Sequence, residues 1–176
     1  MAKTEEPVVD IDRYINRLKK FLQNQYLIKE PKRLESICFA SHDRQGNTLG
    51  WAIMGQEIVL RHDNYLDVDE YGRRVSDNLA KITTFSYHFQ PEQSSGLREW
   101  RIDFKDCDLH VNPDGGDNEH LDPDQVPLDI DNFNLYLTLI LTILYTSKRI
   151  YPFEPEAEAV YQSSLNKGRR QISGAS

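Results

Sequence analysis

Cysteine is nearly missing from this 176-residue chain. Cys38 and Cys107 are the only two, and they lie too far apart to form a CxxC, so neither a zinc knuckle nor a dithiol redox motif is indicated. Two buried reduced thiols are expected. Long apolar runs are missing as well: the most apolar stretch, residues 135–145, is interrupted by Thr138 and Thr142 and falls short of the ~20 residues a membrane helix needs. The N-terminal MAKTEEPVVD lacks the basic and then apolar order of a secretory signal, so a soluble, cytoplasmic protein without membrane contact is expected. Positive charge is also short. Against 28 Asp and Glu there are 21 Lys and Arg, a net charge of −7, which argues against a surface that attracts nucleic acid over its whole extent but leaves room for a local basic patch. No Gly-rich phosphate loop, nucleophile elbow, HExxH helix or EF-hand loop is present, which removes the best-marked enzyme and metal-binding classes.

What is present reads as one folded domain with polar ends. A 39% apolar content in a chain of this length supports a single core. Ile11, Tyr14, Ile15, Leu18, Phe21, Leu22 and Tyr26 recur at helical spacing after Asp10, a natural N-cap, and Pro31 discourages continuation, so an amphipathic helix is expected to end by about Glu30. RLESICFASHDRQGNTLGWAI reads as a β-hairpin turning at Gln45-Gly46-Asn47. Ile58, Leu60 and the following RHDNYLDVDEYG suggest one further strand, less clearly bounded. AKITTFSYHFQ and LREWRIDF form a second antiparallel hairpin across PEQSSG, and DLHV adds a short strand or leaves the sheet. Residues 130–148, capped by Asp129 or Asp131, are apolar on nearly every face. That helix either packs centrally on the sheet or buries its second face against a partner, a second copy of the chain included. The order of elements is α+β: an antiparallel sheet of about five to six strands, an N-terminal amphipathic helix and a long apolar C-terminal helix packed on it. Residues 1–154 make the domain, and residues 155–176 are expected to hold a short helix and a disordered basic tail.

The segment DLHVNPDGGDNEHLDPD carries the most unusual chemistry. Eight acids lie between positions 108 and 131 with no Lys or Arg among them. A solvated loop whose Asn, Asp, Gly and Pro shape turns accounts for that composition. Two functional readings stand beside it. His110 and His120 with nearby carboxylates offer the mixed nitrogen and oxygen set that suits Zn²⁺ or Mn²⁺, although the spacing is not diagnostic and the sequence names no cofactor. Alternatively, a histidine titrating near neutral pH moves a proton while a carboxylate orients its ring. If FSYHFQ pairs with LREWRIDF, then His88, Arg101, Asp103 and His110 meet near one end of the sheet, with Arg101 as a cation for phosphate. His42 and His62 read as surface or turn residues, and Trp51 and Trp100 as core.

SYHF, WRID and the LHVN…EHLD loop before an apolar helix resemble the TumE family of bacterial and archaeal toxins from two-gene toxin–antitoxin modules. The resemblance covers residues 56–144 and places Tyr87, His88, Arg101, Asp103, His110 and His120 at its matching positions. It implies a cytoplasmic toxin acting on nucleic acid with histidine-based or metal-assisted chemistry, restrained by a DNA-binding antitoxin. Here single histidines separated by NPDGGDNE stand where members carry a denser cluster. The competing class is a non-catalytic protein-interaction subunit, an adaptor or regulator of a larger defence or mobile-element complex. The sequence leaves open whether the protein is an enzyme at all. His110 follows a strand, whereas His120 follows two glycines, and a catalytic group must be held to within roughly half an ångström. His110→Ala is therefore expected to remove more of any activity or partner binding than His120→Ala, measured side by side on the purified variants.

Overall fold

A computed structural model describes residues 5–23, 28–29, 38–115, 120–122, 125–126 and 133–154. The expected cap residues Asp129 and Asp131, most of the acidic loop, and the tail from residue 155 lie outside these described residues. Among the described residues the fold is α+β, with two α-helices and a seven-stranded antiparallel sheet. Strand β1 (Val8–Asp10) leads directly into helix α1 (Ile11–Leu22), where Asp10 Oδ1 accepts a 3.0 Å hydrogen bond from the Arg13 amide. Asp12 in the first turn and Lys19 and Lys20 in the last match the helix dipole. The helix stops well before Glu30. By Ile28 the chain is already extended: it bridges Leu60, and the Lys29 amide donates to the Val59 carbonyl at 2.9 Å. Pairing with the sheet overrides the helical periodicity of that stretch.

Strands β2 (Cys38–His42) and β3 (Thr48–Val59) form the first hairpin. Asp43 Oδ1 closes its turn by accepting from the amides of Gln45 (2.9 Å) and Asn47 (2.8 Å), and Gly46 supplies the positive φ of 87°. Strand β3 continues through Ile58 as one long element with a register shift after Gly55, where the sequence suggested a separate strand. Strands β4 (Tyr65–Arg74), β5 (Leu79–Gln90), β6 (Trp100–Lys105) and β7 (Asp108–Asn112) follow as a meander. Strand β1 pairs with residues 79–81 of β5, beyond the residues that pair with β6, which raises the strand number above the five or six expected. Helix α2 (Leu135–Lys148) is capped by Asn134, whose Oδ1 accepts from the Leu137 amide at 3.1 Å. Neither cysteine is a buried thiol: Cys38 is exposed on edge strand β2 and Cys107 is partly exposed in the β6–β7 turn.

Alternation along the strands sends Trp51, Ile53, Leu66, Val68, Ile82, Phe85, Tyr87, Phe89, Trp100, Ile102, Phe104, Leu109 and Val111 into one core with Tyr14 and Leu18 of α1 and Leu135, Leu137, Leu139 and Leu141 of α2. Rings bind the layers together. Phe21 meets Tyr136 edge-on at 5.4 Å, Phe133 lies against Phe85 and Tyr87, and Tyr145 meets Phe89 at 5.6 Å. Past the end of α2 the guanidinium of Arg98 sits 4.1 Å from the Tyr151 ring and pairs with Asp114 and Glu154, fastening the β5–β6 loop to the chain that leaves the helix.

One charged residue interrupts the apolar face. Glu70 occupies the core-side position after Leu66 and Val68 and is fully buried. Its carboxylate accepts from Tyr14 Oη (2.7 and 2.8 Å), Trp51 Nε1 (2.7 Å), Tyr87 Oη (2.5 Å) and the Leu135 amide (3.0 Å). The last is one of the orphan N–H groups that begin a helix, where the dipole favours an anion.

Two predictions follow from this hub. In Glu70→Gln an amide NH2 meets donors that cannot become acceptors, so at least one of Trp51 Nε1 and the Leu135 N–H is left buried and unpaired. We expect a loss of about 3 kcal/mol in urea-induced unfolding, and a change within about 0.5 kcal/mol would contradict the role given to Glu70. Burial, and next the Glu70 charge, raise the Tyr14 and Tyr87 hydroxyls well above their ordinary value. In the unfolded chain both ionise near pH 10, so their contribution is complete below about pH 10 and is lost as pH rises past it. An ultraviolet tyrosinate titration should show these two ionising only together with unfolding.

Candidate functional site

The helices cover one face of the sheet, and the residues between the core positions stand on the other. Register arranges that open face in three rows. Phe39, Ala52, Tyr71, Thr84, Lys105 and Asp108 form the first; Met54, Asp69, Ser86, Asp103 and His110 the second; Asp67, His88, Arg101 and Asn112 the third. The face is apolar toward β2 and β3 and polar toward β5, β6 and β7.

All five residues singled out from sequence fall at this polar end. His110 is directly opposite Asp103 across the β6–β7 pair, close enough for side-chain contact. It is not beside His88, which is opposite Arg101. The Nε2 of His110 lies 3.2 Å from Asp108 Oδ2. His120 reaches the same place because the chain returns along the free edge of β7: the Leu121 amide donates to the Val111 carbonyl at 2.9 Å, and the His110 and His120 rings meet edge-on with centroids 5.6 Å apart. Arg101 Nε stands 2.8 Å from Asp103 Oδ2. Among the described residues that buried Nε makes no aligned hydrogen bond, and the buried Asn112 Oδ1 in the same row has none either. His42 and His62 are exposed and belong to other parts of the molecule. Tyr87 and His88, adjacent in sequence, point to opposite faces, so Tyr87 anchors β5 to Glu70 while His88 faces outward.

Three acids absent from the sequence-derived set organise these side chains. Glu99 Oε1 lies 2.5 Å from His88 Nε2, and Asp67 Oδ2 lies 4.0 Å from Nδ1 on the other side of the ring. Gln90 Nε2 donates to Asp67 at 2.7 Å and lies 3.4 Å from His88 Nδ1. Asp108 does the same service for His110. The clue to Asp67 was its alternation with Leu66 and Val68, which places it on the face opposite theirs. Glu99 precedes the strand and gave no local signal. Asp69 stands next to Ser86, and partial burial, then the charge of Asp67, raise its carboxyl above the ordinary value.

Between β5, β6, β7 and the β6–β7 turn the open face sinks into a depression of about 660 Å³, lined in part by Thr84, Ser86, Arg101, Asp103, Lys105 and His110. Asp106 and Cys107 form its rim with positive φ angles of 55° and 61°. Among the described residues, no three His, Cys, Asp or Glu side chains group as metal ligands, and no helix is long and apolar enough to cross a membrane. Neither protein-family models, nor curated proteins, nor solved structures give a match to this chain. Chemically, the arrangement offers two adjacent imidazoles, one of them held by a carboxylate, with a guanidinium on the neighbouring strand.

Proposed function

We propose that the protein is an RNA-cleaving toxin of a toxin–antitoxin or defence module, working by histidine acid–base chemistry in the cytoplasm. The observation that carries this reading is the meeting of His110 and His120 at 5.6 Å, beside Arg101 and Asp103 and at the edge of an open depression. Two imidazoles at that spacing supply a general base and a general acid. His110, oriented by Asp108, removes the proton from a ribose 2′-hydroxyl. The 2′-oxygen forms a bond to phosphorus, and the bond from phosphorus to the 5′-oxygen breaks. His120 gives its proton to that departing oxygen, leaving a 2′,3′-cyclic phosphate and a 5′-hydroxyl. Arg101 neutralises the charge that accumulates on the non-bridging oxygens. The buried Asn112 Oδ1, in the same row as Arg101 and without a hydrogen-bond partner among the described residues, supports a ligand site, since such a group costs about 1–3 kcal/mol until a partner arrives.

A second reading rests on the opposite end of the same face. Phe39 (52% exposed), Met54 (44%) and Tyr71 (39%) crowd onto the outer surface of β2, β3 and β4, which suits a non-catalytic interaction subunit that docks a protein there.

The two readings separate in a cleavage assay with end-labelled RNA at neutral pH. Fragments ending in cyclic phosphate are expected, with no cutting of a DNA of the same sequence. His110→Ala and His120→Ala should each slow the reaction by about 10²- to 10⁴-fold, His110→Ala the more, while His42→Ala leaves it unchanged. Equal cleavage by the wild type and His110→Ala would overturn the toxin reading and favour the interaction subunit.

A further inference from the structure

We propose that the depression beside His110 is a nucleobase pocket that reads guanine, with Asp103 as the reading group. The inference rests on RNA being the substrate and adds the base at which it is recognised. Asp103 projects from the middle of β6 and is only 22% exposed, and Arg101 fixes one of its oxygens at 2.8 Å. A carboxylate accepts hydrogen bonds through about four lone-pair sites and donates none, so Oδ2 can hold Arg101 while both oxygens still face a ligand.

Only one of the four RNA bases presents two adjacent donors on its pairing edge, and that is guanine, with N1–H beside the 2-amino group. Adenine and cytosine each place a ring-nitrogen acceptor beside their amino donor, and uracil flanks a single N–H with two carbonyls. A bare carboxylate repels all three of those patterns. Lys105 stands two residues along β6 on the same face, about 7 Å from Asp103 at the strand rise, where its ammonium suits the O6 and N7 acceptors of the same base. The hydroxyls of Thr84 and Ser86 complete the floor and have no hydrogen bond to another described residue. A volume of about 660 Å³ lies in the range that admits a small ligand such as a base with its ribose, and His110 on the pocket wall places the attached phosphate next to the proton-transferring pair.

Calorimetric titration of the full chain with guanosine, inosine and adenosine 3′-monophosphates, together with mapping of RNA cut sites, tests the assignment. The guanosine nucleotide should bind at least about tenfold more tightly than the adenosine one, with inosine, which lacks the 2-amino group, between them. Cuts should follow guanosine. Asp103→Asn, checked for an unchanged melting curve, should erase the guanosine preference, and Lys105→Ala should weaken guanosine nucleotide binding several-fold. If RNA is cut without base preference and the three nucleotides bind alike, the guanine pocket is wrong and the nuclease reading stands. Selective guanosine binding without any RNA cleavage would keep the pocket and remove the nuclease. Absence of both binding and cleavage would overturn both.

Discussion

A carboxylate buried with no ion-pair partner among the described residues needs every lone pair occupied, and Glu70 meets that need with donors from four separate elements. Tyr14 comes from α1, Trp51 from β3, Tyr87 from β5 and the Leu135 amide from α2. Because a charge left unpaired in the interior costs several kcal/mol, the helices cannot slide or exchange faces without losing more than hydrophobic packing alone would cost them. Hydrophobic burial is non-directional. Glu70 supplies direction: it seats α1 and the first turn of α2 on one side of the sheet, and among the described residues no helix lies on the other.

That asymmetry is what makes a site available. Residues 87 and 88 show it at its shortest range, since one side chain locks β5 to the core and the next stands on the open face. A rigid sheet carries Arg101, Asp103 and His110 at fixed spacing, and only His120 comes from a connection, tied down by its neighbour Leu121 on the edge of β7. Sites held on strands are more precisely placed than sites on loops. Carboxylates on the face, Glu99 beside His88 and Asp108 beside His110, orient the two rings.

Sequence showed the hairpins, the first helix and its Asp10 cap, because period-2 and period-3.6 patterns and turn residues are local properties. It also picked out His88, Arg101, Asp103 and His110, which the register brings to one end of one face, and His120, which the bridge at Leu121 brings beside them. What it missed was decided by distant parts of the chain. The first helix ends early because Ile28 and Lys29 pair with residues some thirty positions later. Glu70 was readable in principle, as the acid that continues the Leu66 and Val68 alternation, yet its donors are spread from Tyr14 to Leu135. The pairing of His88 with Glu99 depends on hairpin register, and the meeting of His110 with His120 depends on the chain folding back at Leu121. Neither of these two meetings leaves a mark on neighbouring residues.

Nuclear magnetic resonance of the labelled protein, titrated with a short RNA carrying 2′-fluoro groups so that it binds without being cut, tests most directly whether the open face is a nucleic-acid site. The account predicts saturable shifts of the His110 and His120 rings and of the amides of Arg101 and Asp103, with Tyr14, Trp51 and the rest of the core face unmoved. Shifts confined to Phe39 and Met54 on the outer strands, or no saturable shift at all, would contradict it.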